Sequence, residues 1–472
     1  MNKVWNLEQF KEKIAIKDEF GKTITYNELD SESKKLAEKV SARCLVFSLC
    51  RNEIGSILGY VSFIQNGIVP ILLNSHLEEG LLNSLLETYK PTYLWVPKDQ
   101  KEQFSKMTVI YEAFDYLLVD TGYGVTYKLY DELALLLTTS GSTGSPKLVR
   151  QSYNNILDNA QSIVKYLELD DTERPITTLP MNYTYGLSII NSHLLVGATI
   201  LVTDKGIMQK EFWEFFKSSE ATSFGGVPYT YEMLDRLRFY RMNLPSLRTI
   251  TQAGGKILPE LHEKFANYAK DNGKKFVVMY GQCEATARMG YLPPEKAVEK
   301  KGAMGIVIPG GKFKLIAADG SEITAPHTTG ELVYEGKNVT LGYAECSEDL
   351  SKGDERNGIL ETGDMAQFDE DGYYYIVGRK KRFLKIYGNR VNLDEVDRLI
   401  KESFNADVAS TGVDDHMYIF VTDNNFAEPV KDFIVNKTKL NPAAFKVFVI
   451  DNIPKNDSGK ILYNELKKYY AE

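Results

Sequence analysis

The feature that most narrows the fold of this chain is a rhythm of short, continuously apolar runs separated by helical patterns. The runs Arg43 to Leu49, Ile68 to Leu73, Tyr93 to Val96, Leu133 to Thr138 and Thr199 to Val202 alternate with stretches such as Gly55 to Gln65 and Leu77 to Tyr89. Strands without polar alternation are buried on both faces, which predicts an α/β fold with a largely parallel sheet covered by helices. The rhythm resumes from Ala221 to Tyr280. Between Gly302 and Tyr343 it gives way to alternating stretches, Lys312 to Ile316 and Glu331 to Tyr334, split by Asp319-Gly320 and Gly330. That texture predicts antiparallel hairpins or a small β-barrel, at about 302–345.

A third texture begins at Phe368. It holds a hairpin turning at Asp371-Gly372, the basic run Arg379-Lys380-Lys381-Arg382, a second hairpin, and a helix for which Asn392 and Glu395 fit an N-cap and capping box. A chain of 472 residues has room for about three compact units, or one large domain and a small one. The boundary is expected near Lys381, dividing a core of 1–380 from a small α+β domain of 381–472.

Lys and Arg number 56 against 64 Asp and Glu, a net charge of -8, so no overall positive field exists to hold nucleic acid or an anionic membrane. An anionic ligand must be gripped locally. The four cysteines, Cys44, Cys50, Cys283 and Cys346, form no C-x-x-C pair and no zinc spacing, which predicts reduced thiols in a cytoplasmic setting. The opening residues lack the apolar core of a signal peptide, and no apolar run approaches the roughly 18 residues of a membrane span. Three triplets, beginning at Asn182, Asn338 and Asn436, match the glycosylation pattern and carry no meaning without secretion.

The most informative segment for chemistry is Thr138-Thr139-Ser140-Gly141-Ser142-Thr143-Gly144-Ser145-Pro146-Lys147, which follows the run Leu133 to Leu137. Small hydroxyl and glycine residues let the backbone approach an anion and offer N–H and O–H donors, while the lysine adds a mobile positive charge. This is the composition of a phosphate cradle. It is not a Walker A loop, since Pro146 and Leu148 stand where that motif has glycine and a hydroxyl residue. Glu284, after the apolar run Phe276 to Met279, is a carboxylate at a strand's C-terminal end, well placed to hold Mg²⁺.

The loop resembles the phosphate-binding motif of the adenylate-forming superfamily, which includes acyl-CoA synthetases, luciferases and peptide-synthetase adenylation domains. Further segments resemble that family in its order. Ala253-Gly254-Gly255-Lys256 is similar to the adenosine-lining loop, Tyr280-Gly281-Gln282-Cys283-Glu284 to Y-G-x-T-E, and Thr362-Gly363-Asp364 to T-G-D. Gly378 to Gly388 resembles the hinge and the loop after it, and Pro454 to Ile461, containing Ser458-Gly459-Lys460, the terminal lysine motif. The resemblance implies a large core of αβ subdomains and a mobile C-terminal domain that turns about Lys381.

It also implies roles. Thr139, Ser140, Gly141, Ser142, Thr143, Gly144 and Lys147 would hold the phosphates of ATP, Tyr280 would stack on adenine, and Glu284 would take the metal. Asp364 would accept the ribose hydroxyls beside Arg379, with Ile376 and Arg390 nearby. Cys283 replaces the usual Thr, whose hydroxyl would contact the α-phosphate, and a thiol is a weaker donor. Lys460 would bridge the carboxylate of an acid substrate and the α-phosphate, and Gly388 would line the path of a thiol. Leu179 to Gly186 resembles L-P-x-x-H-x-x-G with Tyr183 for His, and Thr184 stands where amino-acid-activating relatives have Asp. Tyr183, Tyr185, Phe224 and Tyr229 are candidate lining for the acid, and Gly281, where acetate-selective relatives have Trp, suggests a larger acid.

The expected activity is therefore an ATP- and Mg²⁺-dependent, AMP-forming carboxylate ligase acting on a small-molecule acid. The acyl group would pass to coenzyme A or the phosphopantetheine of a carrier protein. Two alternatives are an amino-acid adenylation domain, disfavoured by Thr184, and an inactive ATP-binding homologue. A third, a nucleic-acid binder built on the run Arg379 to Arg382, is opposed by the net charge of -8.

Overall fold

A computed structural model describes residues 4–41, 43–124, 127–138, 147–387, 389–404, 406–455 and 461–470, apart from the side chains of Lys381 and Arg390. By their internal contacts the residues gather into two compact units: Met1–Lys312 with Tyr334–Leu360, and Phe313–Val333 with Glu361–Glu472. The boundary near Lys381, dividing 1–380 from 381–472, stays an expectation.

The first unit is built on an eight-stranded sheet. Its spatial order is Gly342–Ala344, Leu148–Ser152, Leu133–Thr138, Val69–Asn74, Leu45–Cys50, Tyr93–Pro97, Tyr116–Asp120 and Thr108–Ala113. The four central strands are parallel and coincide closely with the apolar runs read from the sequence. Both faces are covered. Leu72 and Leu135 pack with Ile57 and Leu58 of helix Ile54–Gln65, while Ile71 and Leu136 pack with Leu82 and Leu85 of helix Glu79–Tyr89.

The flanking strands correct the expectation of a largely parallel sheet, because Leu148–Ser152, Gly342–Ala344, Tyr116–Asp120 and Thr108–Ala113 all pair antiparallel. An apolar run encodes burial, not direction, and antiparallel neighbours need no crossover helix between them.

A second sheet of this unit runs Ser223–Gly226, Thr249–Gln252, Lys275–Tyr280, Gly290–Tyr291 and Ile306–Val307. Its first three strands are parallel. Gly226 pairs in register with Gln252, and Gln252 with Val278, so three carboxyl ends finish side by side. Loops leaving the carboxyl ends of parallel strands are where such sheets bind ligands.

In the second unit, the antiparallel region forms a four-stranded sheet, Lys312–Ile316, Gly330–Glu335, Ile359–Phe368 and Tyr374–Arg379. It extends past the 302–345 window because its last two strands come from the following hairpin. Beyond it stand the hairpin Phe383–Ile386 with Asn389–Asn392 and a three-stranded sheet, Val408–Val413, His416–Val421 and Phe445–Val449. Helices Leu393–Phe404 and Ala427–Thr438 close a core of Val396, Ile400, Ile419 and Val430. Asn392 caps the first of these helices, its Oδ1 accepting from the backbone N–H of Asp394 at 2.9 Å and of Glu395 at 3.4 Å. The Glu395 carboxylate pairs with Arg398. No helix among the described residues is long and apolar enough to cross a membrane.

Candidate active site

The strand Leu133–Thr138 leads into the phosphate-cradle sequence, and the strand Leu148–Ser152 leaves it, with Thr138 paired to Leu148. Thr139, Ser140, Gly141, Ser142, Thr143 and Gly144 lie outside the described residues, as do Gly388 and Lys460 and the side chains of Lys381 and Arg390. Lys147 is described. Its Nζ lies 4.1 Å from the centre of the Tyr343 ring and 3.3 Å from Glu345 Oε1.

Tyr343 is the centre of the arrangement, and sequence reasoning missed it. Its Oη donates to Glu284 Oε1 at 2.7 Å, and the Arg356 guanidinium lies 4.6 Å from its ring centre. Burial and the neighbouring carboxylate push its hydroxyl up to about 12, so it remains a donor at neutral pH. The two residues expected to act on a nucleotide, Lys147 and Glu284, thus meet around one phenol.

The backbone of Glu284 is fixed as well. Its carbonyl accepts from the N–H and the hydroxyl of Thr340, each at 3.0 Å, and from Arg356 Nη1 at 3.0 Å. Asn338 is fully buried and donates to the carbonyls of Ala285 at 2.7 Å and Arg288 at 3.0 Å. One of the three glycosylation-pattern asparagines is therefore a staple for the turn that carries Glu284.

The strand bearing Tyr343 is held by Arg150, whose side chain has no exposure. Arg150 donates to the carbonyls of Tyr343 at 2.9 Å, Lys352 at 2.5 Å and Leu341 at 3.2 Å, and pairs with Glu355. A charge directly after the apolar pair Leu148-Val149 was the available sequence signal for this clamp.

The adenosine-loop candidates Gly254, Gly255 and Lys256 leave the end of the strand Thr249–Gln252. The buried Gln252 amide closes that loop by donating to Gly255 O at 2.8 Å. Gly254 has φ +85°, and a Cβ there would meet Tyr183 Oη at 2.7 Å, so Tyr183 stands directly beside this loop. Tyr280 ends the adjacent strand, its Oη accepting from Gln282 Nε2 at 3.4 Å, and Cys283 opens the short turn Cys283–Ala285.

Of the acid-pocket candidates, Tyr185 is 3% exposed and donates to Thr251 O at 2.9 Å. Phe224 is 2% exposed among Phe216 and Phe239, whereas Tyr229 is 51% exposed at the start of the helix Pro228–Arg236. A Cβ at Gly281 would lie 1.5 Å from the Ala287 carbonyl oxygen. The missing side chain at 281 therefore answers to a backbone approach in this turn.

In the second unit, Asp364 is 3% exposed and pairs with Arg379 Nε at 3.0 Å, the two being register partners across the sheet. Ile376 sits opposite Ala366 in the same ladder. Within the basic run, three described side chains are paired with carboxylates, Arg379 with Asp364 among them. Lys380 pairs with Glu331 at 2.6 Å, and Arg382 spans Asp394 at 2.7 Å and Asp397 at 2.8 Å beneath the ring of Tyr463.

The profile of the AMP-binding enzyme family matches residues 4–344. The chain is 26% identical to 2-succinylbenzoate–CoA ligase of Bacillus subtilis (strain 168) over 475 residues, 97% of this chain and 95% of that one. It is 31% identical to oxalate–CoA ligase of Arabidopsis thaliana over 368 residues, 72% of this chain and 68% of that one. The solved structure of o-succinylbenzoate coenzyme A synthetase from Bacillus subtilis, in complex with ATP and magnesium ion, shares the fold with a TM-score of 0.79 at 23% identity, covering 98% of each chain. The chain belongs to the AMP-binding enzyme family.

Proposed function

We propose that this protein is an ATP-dependent, AMP-forming ligase that joins a small-molecule carboxylic acid to a thiol. The observation that carries the reading is the meeting of Lys147 and Glu284 around Tyr343, in a member of a family whose named relatives are CoA ligases. A carboxylate oxygen of the acid attacks the α-phosphorus of ATP, the bond to the bridging oxygen of the β-phosphate breaks, and pyrophosphate leaves. The sulfur of a thiol then attacks the acyl carbon of the acyl-adenylate and AMP departs with the bonding pair. Coenzyme A is the favoured acceptor, with carrier-protein phosphopantetheine the alternative, and the cytoplasm the setting.

The first step brings two anions together. At about 4 Å and an effective dielectric near 20, each such pair costs about 4 kcal/mol, which positive groups must offset. In this reading residues Thr139 to Gly144 and Lys147 grip the phosphates, and Gly254, Gly255, Lys256, Tyr280, Gln282 and Cys283 receive the adenosine. Asp364 binds ribose with Arg379, Ile376 and Arg390 around it, and Lys460 bridges acid and α-phosphate. A turn about Lys381 then replaces Lys460 with the loop at Gly388, which guides the thiol.

Glu284 fits magnesium. No group of three His, Cys, Asp or Glu side chains among the described residues could hold an ion, and magnesium commonly reaches a protein through one or two carboxylates with phosphates and water as its other ligands. When bound there, the ion would neutralise phosphate charge, while Tyr343 keeps the Glu284 carboxylate oriented.

Acid-dependent exchange of labelled pyrophosphate into ATP is the test, run over fatty, aryl, hydroxy and amino acids. Exchange with at least one acid is expected, and Lys460→Ala should lower it on the order of 10²-fold. Exchange with none would overturn the ligase reading, and near-normal exchange in Lys460→Ala would remove that lysine from the mechanism.

A further inference from the structure

A guanidinium removed from water needs a counter-charge, and buried charges in proteins are accordingly paired. Two arginines of this chain obey that rule. Arg150 meets Glu355, and Arg382 lies between Asp394 and Asp397.

Arg288 departs from it. It is 2% exposed, yet its polar partners are neutral. Nε donates to Ser188 Oγ at 3.1 Å, and Nη1 donates to Tyr166 Oη at 3.0 Å and lies 3.0 Å from Met279 Sδ. The guanidinium carbon sits 5.1 Å from the ring centre of Tyr185, whose π face attracts a cation. Among the described residues, no carboxylate forms an ion pair with Arg288. Neighbouring His193, pushed down to about 4 chiefly by burial, adds no negative charge.

Its position is fixed from several sides. The Arg288 carbonyl accepts from Asn159 Nδ2 at 2.9 Å and Asn338 Nδ2 at 3.0 Å, and its Cα lies 2.9 Å from where a Gly281 Cβ would stand. The unmatched cation is therefore held four residues after Glu284. It lies among the segments that carry Tyr183, Tyr185 and Gly281.

We infer that Arg288 binds a second, non-reacting carboxylate of the acid substrate, so that the enzyme acts on dicarboxylic acids. The inference rests on the ligase reading above and deepens it by naming the substrate class. One carboxylate is activated, and the far one supplies the missing counter-charge through Nη2, the guanidinium nitrogen that Ser188, Tyr166 and Met279 leave open. A monocarboxylic acid of equal length would leave the guanidinium buried and unmatched. Sites built to pair a substrate's polar group discriminate most strongly through that penalty.

The experiment measures pyrophosphate release for matched pairs, each a dicarboxylic acid and the monocarboxylic acid of the same carbon count, with wild type, Arg288→Met and Arg288→Lys. Wild type should favour the diacid on the order of 10²-fold in kcat/KM, mostly through KM. Arg288→Met should abolish or invert that ratio, and Arg288→Lys should retain part of it. Equal use of both acids by wild type, or a preference that survives Arg288→Met, would overturn the role of Arg288 while leaving the ligase reading intact. Release with no acid of either kind would overturn the ligase reading and this inference together. If Arg288→Met does not fold, the wild-type ratio decides alone.

Discussion

Tyr343 and Glu284 come from segments 59 positions apart and are joined by one hydrogen bond of 2.7 Å, with Lys147 and Arg356 both set against the tyrosine ring. Removing only the hydroxyl isolates that bond. Tyr343→Phe keeps the ring under both cations but releases the carboxylate. A hydrogen bond to a charged group contributes about 1.5–3 kcal/mol, so the adenylation rate should fall on the order of 10-fold, with the magnesium dependence of pyrophosphate exchange displaced. An unaltered rate and magnesium profile would show that the phenol does not orient Glu284.

Arg150 ties the strand of Tyr343 to its neighbour through the carbonyls of Tyr343, Lys352 and Leu341. Arg150→Met should cost about 3 kcal/mol, since it breaks a pair whose arginine is wholly buried and strands those carbonyls. Denaturant unfolding measures the loss, and adenylation should decline with it as the Tyr343 strand loosens.

Gly281→Ala tests the backbone approach. With 1.5 Å between the added Cβ and the Ala287 oxygen, the turn carrying Glu284 must shift, and a destabilisation of about 1–3 kcal/mol with loss of adenylation is expected. Wild-type stability and activity in this variant would mean that the turn adapts freely.

The buried Asp397 gives a prediction in pH. Burial outweighs the attraction of Arg382 and pushes its carboxyl up to about 7, above the roughly 3.9 of an unfolded aspartate. A raised folded value means that the folded state holds a proton which the unfolded state has given up. The stabilisation is complete below about pH 4 and is lost as pH rises through about 7. Thermal midpoints at several pH values should show wild type losing stability relative to Asp397→Asn across that window. Parallel profiles would refute it.

Much of the fold was readable because burial on both faces writes itself into composition. Leu133 to Thr138 has the composition of a buried strand and is one, and Asn392 has the spacing of an N-cap and caps a helix. Strand direction was not readable, since Leu148 to Ser152 is buried at every position whichever way its neighbour runs. The motif residues are legible as candidates for a nucleotide site, but their supports lie elsewhere in the chain. Tyr343 sits in a three-residue strand without a pattern of its own, Asn338 wore the disguise of a glycosylation triplet, and no motif singles out Gln252. Arg288 carried no motif at all, and its meaning appears only when its neighbours are found to be neutral.

The three-residue strand Gly342–Ala344 that borders Leu148–Ser152 is supplied from about 190 positions further along the chain. During synthesis at about 5–20 residues per second, the flank of the emerging sheet therefore waits on the order of 10–40 seconds for its border. Through that interval the ribosome-tethered chain presents a row of unsatisfied amides and carbonyls, with a bare arginine among them, to whatever else is nearby. Biogenesis of this enzyme should accordingly depend on holdase chaperones far more than refolding of the finished chain does.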